Sequence, residues 1–301
     1  MEYKYVIIIP AKNEDKSIHQ TLDSIVQQSF LPEVCLVVDD NSDDDTPAIV
    51  KDYETNYPFI KYFKNNQPKQ TYSLGGHVVE VFTIGLNYLK DSGYKIDYAI
   101  KLDADLTFDS DCIKLLFEKV KDHNPGIFSG TPYYMHNGIK INDFSPEWHA
   151  HGQFKIYNTK CLDDIGGIPL SLGWDTADNI KAMSKGWNTV AFRDVFYKMH
   201  RKVGGKSSLK KGRINHGIGS YVLRYNFGYF IVKVLHDLFR PPYFLGAGYM
   251  FYGYWKAFFS RREIILDKKE RRVLRKLLWE SFFVRFKDRD FVIFQLFSSK
   301  K

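Results

Sequence analysis

Hydrophobic and polar positions alternate along the first half of the chain with two different periods. Residues 5–9 form an unbroken apolar run rich in β-branched side chains, the pattern of a strand buried on both faces. Ile18, Leu22, Ile25 and Val26 then recur at helical spacing, and Pro32 ends that stretch. A second strand is predicted at 34–38, stopping at Asp39-Asp40-Asn41-Ser42, with a helix at 46–53 and a third strand at 59–63. Gly75-Gly76 open a helix that carries Val78, Phe82 and Leu86 on one face. A fourth strand at 98–102 runs into Asp103-Ala104-Asp105, and Ile113, Leu116, Phe117 and Val120 mark a further helix before a strand at 127–129. Strand and helix in strict alternation predict a mainly parallel sheet with helices on both faces. In such sheets ligands bind beyond the carboxyl ends of the strands, where both acidic clusters fall.

From about Asn142 the pattern loosens. A mixed region carries Trp148, His149, His151 and Gly166-Gly167, and a helix follows Gly173-Trp174-Asp175-Thr176-Ala177-Asp178. Strand-like residues 189–192 and 195–197 lead to His200-Arg201. A loop rich in glycine and lysine is expected over 203–219, and then two aromatic segments split by Pro241-Pro242. These segments fit two short helices lying in a membrane interface rather than a span, since no run of about 20 apolar residues occurs. The expected division is a domain at 1–205, with halves 1–105 and 106–205, and an appendage at 206–301.

Composition changes the picture in two ways. The net charge is +8, and Lys and Arg crowd the chain from Lys198 onward, which favours anionic partners and a surface role for the C-terminal part. The aromatics there gather in apolar helical segments instead of interleaving with charge, which argues against nucleic acid. Three scattered cysteines, Cys35, Cys112 and Cys161, fit neither a disulfide framework nor a zinc site and suit a reducing compartment. No secretory signal is expected at the N-terminus.

The chemistry concentrates at the strand ends. Two carboxylates one residue apart, Asp103 and Asp105, suit a hard divalent cation, and such a cation can neutralise a leaving diphosphate. The plainer alternative is a solvated turn. Pro10-Ala11-Lys12-Asn13-Glu14 leads from the first strand into a helix, where free N–H groups suit an anionic or nucleotide ligand. It also reads as a simple connection capped by Asn13. Asp40 is placed to accept hydrogen bonds from a base or ribose, or else to form an Asx turn.

Taken in this order, these three motifs resemble the family 2 glycosyltransferases, over about two thirds of the chain. The resemblance implies the GT-A fold, a Rossmann-like α/β nucleotide-diphospho-sugar transferase, here with a helical, membrane-associated appendage. It implies that Pro10, Ala11, Asn13, Glu14, Asp40 and Asp103 bind the nucleotide. Asp103, Asp105 and His200 would hold Mn²⁺ or Mg²⁺, and Arg201 and Lys202 would meet the diphosphate. Asp175 would be the catalytic base, although Trp174 stands where many members have Glu, and Asp178 remains its rival. Trp148, His149, His151 and Trp174 would line the acceptor pocket. The implied activity is inverting transfer from a nucleotide sugar, UDP-sugar favoured, to a glycan or lipid-linked glycan at the cytoplasmic face of the membrane. A nucleotidyltransferase and a catalytically silent membrane-associated module are the alternatives.

Overall fold

The computed structural model describes residues 3–67, 75–201, 209–238 and 243–287. Contacts divide the chain into two compact units. One comprises residues 1–170 and 174–203, the other residues 171–173 and 204–301.

The first unit is built on β1 (Tyr5–Ala11), β2 (Val34–Asp39), β3 (Ile60–Lys64), β4 (Tyr98–Leu102), β5 (Leu106–Phe108), β6 (Pro125–His136), β7 (Ile139–Asn142), β8 (Phe154–Asn158) and β9 (Asn188–Met199). Its helices are α1 (Ile18–Val26), α2 (Thr46–Asn56), α3 (His77–Asp91), α4 (Cys112–His123), α5 (Thr159–Asp164) and α6 (Trp174–Ser184). The strands join in one sheet of order β3-β2-β1-β4-β8-β6-β9-β5, with β7 on β6. The first four are parallel to one another, as the alternation predicts. Antiparallel pairings enter from β4–β8 onward, while β6 and β9 run parallel. The 127–129 and 189–197 signals belong to two long strands, β6 and β9, of 12 residues each.

The unbroken apolar strands follow from burial on both faces. Side chains alternate across a strand, so Ile7 and Ile9 join one core with Ile18, Leu22 and Phe117, while Val6 and Ile8 join another with Phe82 and Leu86. Gly85 lets α3 lie close to the sheet, since a Cβ there would come within 2.8 Å of Val38 and Ile8 side chains.

The second unit contains α7 (Leu209–Val222), α8 (Phe227–Leu238), α9 (Tyr243–Phe259) and α10 (Lys268–Lys287). Helix α7 corrects an expectation, because residues 209–219 were expected in a loop. Glycine disfavours an isolated helix, but tertiary packing overrides propensity here. A Cβ on Gly217 would sit 1.9 Å from the Met250 carbonyl oxygen, and one on Gly253 would sit 2.1 Å from that of Ile214. The two glycines thus let α7 and α9 approach backbone to backbone around Ile218, Tyr221, Met250 and Tyr254. Arg213, expected in that loop, lies on α7 and pairs with the buried Asp237 on α8.

Candidate functional site

The carboxyl ends of β1 and β2 are stitched together by their own polar residues. The Asn13 N–H donates to Ser42 Oγ at 3.0 Å, and Asn13 Oδ1 accepts from the Asp43 N–H at 3.0 Å. The Glu14 N–H donates to Thr46 Oγ1 at 2.8 Å. Asn13 and Asn41 both hold left-handed backbone, φ 53° and 59°, which asparagine tolerates better than most residues. Asn13 is therefore a loop clasp, and Ser17 rather than Asn13 precedes α1. Pro10 and Ala11 end β1 beside Val38 and Asp39.

Asp40 is buried, and both its oxygens have partners: Asn65 Nδ2 at 3.2 Å and His77 Nε2 at 2.7 Å. The other His77 nitrogen meets Glu80 at 3.0 Å. His77 was not foreseen, because nothing local marks a histidine at the start of α3 as the partner of an aspartate 37 residues away.

The Asp103-Ala104-Asp105 turn lies where β4 gives way to β5. The Asp103 N–H donates to the Gln153 carbonyl at 2.8 Å, and Lys101 donates to the Asp103 carboxylate and to the Gly152 carbonyl. Burial pushes the Asp103 carboxyl up, Lys101 pulls it back, and repulsion from Asp105 and Glu14 adds to the rise. Pairing of β5 with β9 carries His200 to Asp105, whose carbonyl accepts from the His200 N–H at 3.1 Å. His200 Nε2 lies 2.9 Å from Thr107 Oγ1. Arg201 donates to Asp105 at 2.7 Å and to Glu14. Lys202 lies outside the described residues.

Among the described residues no three His, Cys, Asp or Glu side chains are gathered into a ready ligand set. The chemistry of Asp103 and Asp105 nevertheless fits a hard divalent cation that takes its other ligands from a diphosphate and water. Mutual repulsion between these carboxylates is what a cation would relieve.

On the far side of the same turn, two lysines face each other across the sheet. Lys101 and Lys155 are register partners on β4 and β8, exposed by only 2% and 0%. Lys155 is held by Asp178 at 2.7 and 2.9 Å, and Asp178 also accepts from Tyr157 Oη at 2.6 Å. The Trp174 ring lies within 5.5 Å of both ammonium groups, an arrangement that favours cation–π attraction. The signal for this cluster was a lysine inside each of two otherwise apolar strands. A buried charge must be paired, so such a residue announces a partner.

This geometry separates Asp175 from Asp178. Asp178 is fully buried and saturated by Lys155 and Tyr157, the bonding of an anchor for α6. Asp175 stands in the first turn of α6, half-buried, and its carboxylate has no hydrogen-bond partner among the described residues. Its backbone carbonyl accepts from Lys155 and Asn179, both at 2.7 Å. Gly152 packs so closely that a Cβ there would lie 3.1 Å from the Asp175 Cβ. The strap at 149–153 therefore touches Asp175 and holds Asp103. His149 and His151 belong to it. His149 Nε2 meets Thr176 at 3.1 Å, while the buried Nδ1 lacks a partner among the described residues. Burial pushes the His149 and His151 rings down to about 4 and about 3, so both are neutral at pH 7. Trp148 packs edge-on against His149, and its carbonyl accepts from Thr189 at 2.6 Å.

The model of the family described as Glycosyl transferase family 2 matches residues 6–73, the segment holding the first two motifs. Over those residues the chain is similar to this family. An uncharacterized glycosyltransferase of Mycoplasma genitalium is 33% identical over 116 residues, covering 38% of this chain and 35% of the relative. The GalNAc(5)-diNAcBac-PP-undecaprenol β-1,3-glucosyltransferase of Campylobacter jejuni is 36% identical over 67 residues, 22% of either chain. The matched stretches thus span about a third or less of these curated relatives. The mannosyltransferase of Pyrobaculum calidifontis, solved with GDP-Man and Mn²⁺, superposes with a TM-score of 0.57 at 16% identity, covering 99% of this chain and 84% of that one. S. aureus TarS 1–349 with UDP-GlcNAc gives 0.53 at 17%, covering 85% and 73%. These likenesses establish the GT-A fold, with helices following it at the C-terminus.

Proposed function

We propose that the chain transfers a sugar from a nucleoside-diphosphate donor, a UDP-sugar in preference to a GDP-sugar, to a hydroxyl of a glycan or lipid-linked glycan, with inversion. The observation that carries this reading is the 149–153 strap, which is bonded to Asp103 on the donor side and packs at Gly152 against the Cβ of Asp175. Asp175 takes the proton of the acceptor hydroxyl as its oxygen attacks the anomeric carbon. The bond from that carbon to the diphosphate breaks on the opposite face, and its electron pair leaves with the nucleoside diphosphate. Mn²⁺ or Mg²⁺, held by Asp103 and Asp105 with His200 alongside, would supply positive charge to the departing diphosphate. Pro10, Ala11 and Asp40 border the nucleoside, and neutral His149 offers Nδ1 to the acceptor, with Trp148 and His151 beside it. Relatives in fold bind GDP-Man with Mn²⁺ and UDP-GlcNAc, and a sequence relative is named for an undecaprenol-linked acceptor.

The test is a panel of nucleotide sugars with purified protein. Turnover of one donor is expected, with EDTA and Asp105→Ala each abolishing it. Full turnover in EDTA, or in the folded variant, overturns the cation assignment. No turnover with any donor favours a silent binding module.

The second unit supports a membrane surface as partner. After Val203 the sequence holds 21 Lys and Arg against 7 Asp and Glu, while the rest of the chain holds 22 against 28. Phe244 and Phe259 are 71% and 76% exposed, and Leu235, Leu245, Tyr252 and Phe283 are exposed too. No helix among the described residues is long and apolar enough to cross a membrane. Aromatics at headgroup level with flanking cations suit peripheral attachment to the anionic cytoplasmic face, at about 1 kcal/mol per cation. Vesicles containing phosphatidylglycerol should sediment the protein, and added salt should weaken this by screening. Equal binding to pure phosphatidylcholine, or binding to neither, removes the electrostatic attachment.

A further inference from the structure

Glu14 and Asp105 come from different strand ends, yet both stop on one guanidinium. Arg201 Nε donates to Asp105 Oδ2 at 2.7 Å, and a terminal nitrogen donates to Glu14 Oε2 at 2.5 Å. Ser17 Oγ steadies the same Glu14 oxygen at 3.0 Å. The guanidinium side chain is 36% exposed, so it closes this end of the site without being sealed into it. Asp103, close enough to feel the charge of both carboxylates, has Lys101 as its own cation. Positive charge on Arg201 thus lies between Glu14 and Asp105 and offsets their repulsion.

We propose that Arg201 is the resident counter-ion of the donor site, occupying the Asp105 carboxylate that a divalent cation must reach, and yielding it when cation and nucleotide arrive together. The inference rests on the reading of Asp105 as a cation ligand. Electrostatics dictates the coupling. A divalent cation alone must approach Asp105 against the guanidinium, and Arg201, once displaced from Asp105, is left with Glu14 as its one carboxylate partner of the two. A diphosphate supplies a replacement for the lost one. Cation and nucleotide therefore bind with positive coupling, and linkage requires each to strengthen the other by the same factor. Removing the guanidinium removes the competitor for Asp105 and the second partner for the diphosphate at once. Arg201→Met should tighten cation binding in the absence of nucleotide and shrink the enhancement that nucleotide brings. A residue that merely braced two loops would do neither.

The experiment is Mn²⁺ binding followed by electron paramagnetic resonance, with and without UDP, and with GDP in its place if the donor panel selects a GDP-sugar. Wild type, Arg201→Met, Arg201→Lys and Asp105→Asn are compared, each checked by thermal unfolding. Wild type should bind Mn²⁺ weakly alone and about fivefold or more tightly with nucleotide, the lower end of ordinary coupling. Arg201→Met should bind Mn²⁺ alone more tightly than wild type, with less further gain from nucleotide. Arg201→Lys keeps the charge and should stay near wild type. If folded Arg201→Met binds Mn²⁺ alone no better than wild type while Asp105→Asn loses binding, the counter-ion role is wrong and the cation site stands. If Asp105→Asn binds as wild type does, the cation assignment itself fails.

Discussion

Replacing Asp175 by Asn is expected to slow sugar transfer by about 10²- to 10⁴-fold, the usual cost of losing a general base. Nucleotide affinity should change little, because the residues proposed for the donor side, Asp40, Asp103 and Asp105, lie on other elements. The substitution keeps the size of the side chain and leaves the backbone carbonyl that Lys155 and Asn179 use. Paired measurements of transfer rate and of nucleotide binding by calorimetry check it. A variant that transfers at the wild-type rate removes Asp175 from the chemistry. The contrast with Asp178 makes the test sharp. Asp178→Asn should chiefly cost stability, because it leaves Lys155 charged and poorly compensated inside the unit.

The second large effect concerns that same pair. Lys155→Met should lower folding stability by about 3–5 kcal/mol, since it strands a buried carboxylate whose remaining side-chain partner is the Tyr157 hydroxyl. At roughly 2–4 °C per kcal/mol for a domain of this size, the midpoint should fall by about 10 °C. Replacing both charges, as Lys155→Met with Asp178→Leu, should recover much of the loss, because no uncompensated charge then remains. Thermal unfolding of the two variants beside wild type decides it. A single variant as stable as wild type would mean that Asp178 is not held charged by Lys155.

The family 2 resemblance and the helical C-terminal part were legible in short stretches of sequence. Each rests on local signals: an apolar run, a helical period, carboxylates where a buried strand stops. The unbroken run at the start of β1 reports burial on both faces, and burial on both faces implies a sheet covered by helices. The same logic placed Asp40 and Asp103 at strand ends, since a polar cluster after such a run is where the chain meets solvent. Helix α7 was misread because glycine content argues locally for a loop. What permits a helix there is the close passage of α9, which no local pattern records.

The wiring of the candidate site was decided by tertiary structure. The His200 backbone and the Arg201 side chain reach Asp105 because β9 pairs with β5 in a register that sets Met199 opposite Leu106, so the residues that follow β9 pass beside the turn that precedes β5. Lys101 meets Lys155 for the same reason across β4 and β8. His77 reaches Asp40 only once α3 is laid against the sheet, at the close approach Gly85 allows. Periodicity along a chain reports how deeply each residue is buried. It carries no record of which distant residue lies opposite, because that is set by packing the whole sheet at once.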